Sequence, residues 1–90
     1  MRLTVTQDDI DIARKQRKTG LCPTDYALLR IYPNASVITG TQQAWITSVY
    51  SDNELRFRLS RRHTQWINEY DAGGTVEPTT FTLAEEPYPS

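Results

Sequence analysis

The sequence is poor in the residues that build metal centres and catalytic sites. It contains one cysteine, Cys22, and one histidine, His63, among 90 residues. A single cysteine excludes an internal disulfide and a cysteine-based zinc cage. No apolar run approaches the roughly 20 residues needed to cross a bilayer, so we expect no membrane contact. We therefore expect no metal, no cofactor and no catalytic set, and a protein that is not an enzyme.

The composition is that of a folded domain. Hydrophobic residues make up 38% of the chain and charged residues 23%, and the formal net charge is −1. Ninety residues correspond to one small domain, because separate cores arise only in much longer chains. We expect residues 1–83 to form a single α+β domain, and residues 84–90, with two glutamates and two prolines, to be a disordered tail.

Three helices are predicted from their end signals. Thr6 is a typical N-cap for the first helix, and the second begins at Cys22-Pro23, because proline suits the first helical position. Ser60 caps the third helix, which Gly73-Gly74 ends.

Strands are predicted from alternating apolar residues. The clearest alternation runs from Leu55 to Leu59, and in Ala44–Tyr50 it places Trp45 on the face opposite Ile46. The resulting order, β-α-α-β-β-β-α-β, indicates one antiparallel or mixed sheet with helices mainly on one face. The remaining strands are predicted at Arg2–Thr6, Ser36–Thr39 and Thr79–Leu83.

The most informative segment is the arginine-rich stretch that ends the Leu55–Leu59 strand and begins the third helix. A helix N-terminus favours acidic side chains, so arginines there oppose the helix dipole and point to an anionic ligand. The other interpretation is a solvated face, or pairing with the acidic C-terminal third of the chain. The predicted binding residues are Arg56, Arg58, Arg61, Arg62, His63 and Trp45.

Three of the less common residues each allow two interpretations. Cys22 is either a buried residue at a helix start or a reactive thiol, since a helix N-terminus lowers a thiol pKa. His63 is either a packing residue or a ligand or base. Trp45 is either in the core or exposed beside the arginines, where it resembles a base-stacking or protein-anchoring surface. A homodimer that buries Trp45 and Tyr50 is a further option.

The chain resembles a group of short proteins encoded by tailed bacteriophages and prophages, most of them without an assigned function. The resemblance implies a shared fold and a viral origin, and no activity. Small phage proteins of this size are often inhibitors of host proteins, including anti-CRISPR and other anti-defence factors. The matching residues are Val5, Thr6, Asp9 and Ile10, then Cys22, Pro23, Ala27 and Leu28, and finally Trp66, Ile67, Tyr70, Asp71, Gly73, Val76, Pro78, Phe81 and Leu83.

Two functional hypotheses follow. The first is a phage-encoded, non-enzymatic interaction protein that binds and blocks a host macromolecule, either a protein or a protein–nucleic-acid complex, in the bacterial cytoplasm. The second is direct binding of nucleic acid or of a phosphorylated small molecule, such as a signalling nucleotide, through the Arg56–His63 cluster.

Overall fold

The fold is α+β, as the sequence predicts. The structure, a computed structural model, describes residues 1–48 and 54–86. No helix in these residues is long and apolar enough to span a membrane. The elements are β1 (Arg2–Val5), α1 (Gln7–Lys15), a 3-10 turn (Arg17–Thr19), α2 (Pro23–Ile31), β2 (Ala35–Thr39), β3 (Gln43–Ser48), β4 (Glu54–Arg58), α3 (Arg61–Asp71), β5 (Thr79–Thr82) and β6 (Ala84–Glu85).

The strands form two antiparallel sheets instead of the single sheet expected. β1 pairs with β5, and the larger sheet has the order β2-β3-β4-β6. The chain changes sheet at Leu83, which is fully buried and whose N–H donates to the carbonyl of Met1 at 2.7 Å. The sequence Thr79–Leu83 alternates without interruption, so it contains no signal of this change.

The prediction of a disordered tail is wrong for its first residues. Ala84 and Glu85 pair with β4, and the Glu86 N–H donates to the Arg56 carbonyl at 2.8 Å. Hydrogen bonds to an open sheet edge therefore order a segment that composition alone marks as polar and proline-rich. Residues 87–90, and the predicted strand residues Val49 and Tyr50, lie outside the described residues.

The three helix starts agree with the predicted caps. Thr6 and Asp9 form a reciprocal capping box, and the Ser60 hydroxyl accepts the N–H of His63 at 3.1 Å. Asp9, which is buried, also accepts from Arg30 of α2 at 2.6 Å, so the cap ties α1 to α2. The helix starts are thus held by local and tertiary contacts together.

The core lies between the helices and the inward faces of both sheets. Ala44, Ile46 and Phe57 are buried, which confirms the alternation predicted for β3 and β4. Side chains on the other side of the larger sheet therefore face away from the core. The largest fully buried hydrophobic side chains are Phe81, Leu3, Ile10, Leu28, Leu83 and Val5.

Candidate partner-binding surface

The predicted binding residues do not form one cluster. Trp45 and Arg56 lie on the side of the larger sheet that faces away from the core, Arg58 and Arg61 line a concavity beside it, and Arg62 and His63 contact the core residue Phe81. Arg61 is separated from Arg62 and His63 because consecutive residues at the start of α3 point to different sides of the helix.

Three side chains form a row across the outward side of the larger sheet. Trp45 on β3 pairs directly with Ile38 on β2 and with Arg56 on β4. Ile38 is 61% exposed, the highest value among the exposed large hydrophobic residues, and Trp45 and Arg56 are half-buried. We call the row Ile38, Trp45 and Arg56 the outer face. Trp45 thus lies beside Arg56, as the second of its two interpretations predicts, but it is half-buried and not fully exposed.

The indole of Trp45 packs closely against the backbone of Gly40. A Cβ atom added at Gly40 would lie 3.0 Å from Cζ3 of Trp45 and 3.3 Å from its Cη2 atom, so the ring rests against the bare backbone. Only glycine allows this close approach without a shift of the ring. The indole of Trp45 therefore packs on the turn that follows β2.

A concavity of about 510 Å³ lies next to the outer face. The turn after β2 forms one wall, and it is fixed because Thr64 of α3 donates to the carbonyl of Thr41 at 2.8 Å. Amide groups and guanidinium groups dominate the lining, which suits hydrogen bonding to a polar or anionic group. The polar lining residues are Gln42, Gln43, Gln65, Arg58, Arg61 and Thr64.

Arg58 is the one predicted arginine that pairs with a carboxylate among the described residues. Its Nε donates to Glu86 at 2.9 Å, and Gln43 donates to the other Glu86 oxygen at 2.8 Å. The Arg58 side chain is still 73% exposed, so it can also reach a ligand. Pairing with the acidic C-terminal part of the chain, one of the two interpretations of the cluster, thus holds for this arginine.

The Arg62 side chain makes contacts within the domain that stabilise the fold. Its guanidinium lies 4.8 Å from the centre of the Phe81 ring, and it donates to the carbonyl of Thr80 at 2.8 Å. These contacts offset the unfavourable helix dipole at the start of α3. Arg61 is exposed and makes no ion pair with any described residue.

The prediction that His63 contacts a partner is wrong. The side chain is fully buried and stacks on Phe81 with ring centres 3.8 Å apart, and its Nε2 lies 2.9 Å from the Thr24 hydroxyl. Burial, helped by the charge of Arg62, lowers the pKa of His63 to about 4. His63 is therefore a packing residue that is neutral at pH 7.

Cys22 lacks the properties of a reactive thiol. Burial and the neighbouring Asp25 carboxylate raise its pKa to about 12. Asp25 accepts from the Cys22 N–H at 2.9 Å, which closes the start of α2 and gives Cys22 its place as an N-cap. The lowering effect of the helix start is outweighed here, because the carboxylate and the apolar surroundings both oppose the thiolate.

The described residues contain no group of three or more His, Cys, Asp and Glu side chains that could hold a metal ion. The chain matches no protein-family model, and no curated protein or solved structure matches it. The outer face and its adjoining concavity therefore have to be interpreted from their own chemistry. Sequence reasoning named Trp45 and Arg56 in this region but missed Ile38 and Gly40.

Proposed function

We propose that this is a non-enzymatic interaction protein that binds the surface of another protein through its outer face. The observation that carries the proposal is the row Ile38, Trp45 and Arg56 on a sheet face turned away from the core. Tryptophan and arginine are among the residue types most enriched where binding energy concentrates in protein interfaces. An apolar centre bordered by guanidinium groups fits a partner surface that combines a hydrophobic pocket with carboxylates.

The resemblance to phage proteins suggests the setting for this binding. We propose that the partner is a host protein or protein–nucleic-acid complex in the bacterial cytoplasm, and that binding blocks it, as an anti-defence or anti-CRISPR inhibitor does. A rigid surface on a small domain suits this role, because it covers a partner site without any chemistry of its own. This setting rests on the resemblance, whereas the location of the binding surface rests on the outer face.

The test replaces arginines of the proposed binding surface and keeps Arg62, which stabilises the fold. Changing Arg56, Arg58 and Arg61 to alanine should abolish partner binding, while Arg62 stays because it contacts Phe81. The matched control removes the same charge from the exposed residues Lys15, Arg17 and Lys18. Partners captured from an infected host by the parent and control proteins, but lost with the surface variant, would support the proposal. Equal capture by all three would overturn it.

Nucleic acid or a phosphorylated small molecule is the second candidate. The concavity favours it, because it combines the guanidinium groups of Arg58 and Arg61 with glutamine amides, which can bond phosphates and base edges. Binding to phosphates predicts an affinity for single-stranded oligonucleotides or nucleotides that falls steeply with salt. A thermal shift with nucleotides would favour this candidate, and its absence would favour the protein partner.

A further inference from the structure

We infer that the free edge of β2 pairs with the same strand of a second copy of this chain, which forms a symmetric dimer. β2 is an end strand of the larger sheet and pairs only with β3 among the described residues. Its five residues, Ala35–Thr39, include no proline and no charge. Native proteins usually protect such an edge with charge, proline or extreme shortness.

The other strand edges in the described part of the chain carry such protection. β6, at the opposite end of the same sheet, is two residues long. In the small sheet, an arginine side chain occupies each open edge: Arg30 donates to the Thr4 carbonyl of β1 at 2.7 Å, and Arg62 donates to the Thr80 carbonyl of β5 at 2.8 Å. The contrast within one chain singles out β2 as the edge that is left open to another strand.

The backbone of β2 determines how two copies can pair. The Gly40 N–H donates to the Gln43 carbonyl at 2.8 Å, and hydrogen-bonded pairs alternate along an antiparallel ladder. The backbone groups of Ile38 therefore point to β3, and those of Val37 and Thr39 point to the open edge. The Ala35 N–H is already used, because it donates to the Tyr32 carbonyl at 3.2 Å.

One symmetric register satisfies all these groups. If Ile38 lies opposite Ile38 of the second copy, Val37 of each copy faces Thr39 of the other. Four backbone hydrogen bonds then form, and none needs the occupied Ala35 N–H. The two Ile38 side chains meet in a pair without hydrogen bonds between them, the type in which side chains come closest.

This register also accounts for the exposure of Ile38. α2 packs on the inner side of β2, where the Thr39 hydroxyl donates to the carboxylate of Asp25 in α2. Among the described residues, the edge and the outer side of β2 remain open. A second copy would cover the edge-facing side of Ile38, which is 61% exposed in the single chain, and would leave its outward side on the outer face. The two outer faces would then form one continuous surface, with Trp45 and Arg56 of each copy on either side of the seam.

Cysteine cross-linking tests the register. An Ile38→Cys variant should form a disulfide-linked dimer under mild oxidation, because facing residues in such a pair have Cα atoms close enough for a disulfide. Ser36→Cys, on the same strand and the same face, is the matched control. In the proposed register the two Ser36 residues are roughly 13 Å apart, so it should not cross-link. Equal cross-linking of both variants, or none of Ile38→Cys, would overturn the proposal.

Charge exchange tests the association itself. Sedimentation equilibrium should show dimers of the parent protein as concentration rises, and at least tenfold weaker association of Ile38→Glu and Ile38→Lys alone, because equal charges then face each other. An equal mixture of the two variants should recover the dimer. Ile12→Glu, at another exposed isoleucine, should dimerise like the parent. A monomeric parent, or variants that associate unchanged, would contradict the inference.

Discussion

The imidazole of His63 lies flat on the ring of Phe81, with the two planes inclined by 2°. This stacking joins α3 to β5 and closes the side of the core that faces the small sheet. The buried Nδ1 of His63 has no hydrogen-bond partner among the described residues, so the ring is held by packing and by its Nε2 contact to Thr24. Such a site tolerates the neutral ring and disfavours the charged one.

We expect the protein to lose stability in mild acid because of His63. The pKa of His63 is about 4 in the folded protein, whereas an unperturbed histidine, as in the unfolded chain, has a pKa of 6.5. As the pH falls, the unfolded chain therefore takes up the proton first. The stabilising effect of the neutral ring is complete above pH 6.5 and is lost as the pH falls towards 4, by about 3 kcal/mol. Urea unfolding across this range measures the change.

The control for this prediction is His63→Leu. The variant keeps every carboxylate, so only the histidine contribution to the pH dependence disappears. A parent and a variant with parallel pH profiles would show that the buried imidazole does not titrate as described.

Two neighbouring arginines should differ in their effect on stability. Arg62→Ala should lower the free energy of unfolding by about 1 kcal/mol, because it removes the contact with Phe81 and the bond to Thr80. Arg61→Ala should leave it unchanged or raise it by up to about 0.5 kcal/mol, because an exposed cation at a helix start is unfavourable. Urea unfolding of both variants checks this, and equal losses would contradict it.

Cys22 should resist alkylation in the folded protein. A pKa raised from 9.0 to about 12 leaves very little thiolate at neutral pH. We expect iodoacetamide to label the native protein at least about a hundredfold more slowly than the urea-unfolded chain, where the ordinary pKa returns. Mass spectrometry follows the labelling, and the unfolded chain is the control. Equal rates in the two states would indicate an accessible thiolate.

Gly40→Ala should move Trp45 without unfolding the protein. The added methyl group lies 3.0 Å from the indole, so the ring must shift by a few tenths of an ångström. We expect the indole N–H resonance of Trp45 to change while that of Trp66 stays, with less than about 1 kcal/mol change in unfolding free energy. Ser36→Ala, an exposed position in the preceding strand β2, is the control. An unchanged Trp45 resonance would show that Gly40 does not position the ring.

Local signals were sufficient to predict most of the elements. The caps at Thr6 and Ser60 and the alternation around Ile46 and Phe57 depend on neighbouring residues, and the structure confirms them. Alternation also placed Trp45 on the face opposite Ile46, but it left open whether that face belonged to the core. These features are predictable because each one is determined within a few residues of the chain.

The remaining features depend on distant partners. His63 is buried because Phe81, 18 residues later, stacks on it, and no property of the arginine-rich stretch reveals that contact. The division into two sheets requires β1 to meet β5, and the ordering of Glu86 requires the edge of β4. Pairings over such separations are set by tertiary packing, which a single sequence does not display.

The pairing of β1 with β5 has a consequence for synthesis in the cell. Thr4 bonds to Thr80, 76 residues later, so β1 leaves the ribosome long before its partner strand exists. Leu3 and Val5 are both buried in the folded domain. They therefore lack their β5 packing partners while most of the domain is being translated. The core can close only once β5 has emerged, so the start of this domain depends on one of its last strands for burial.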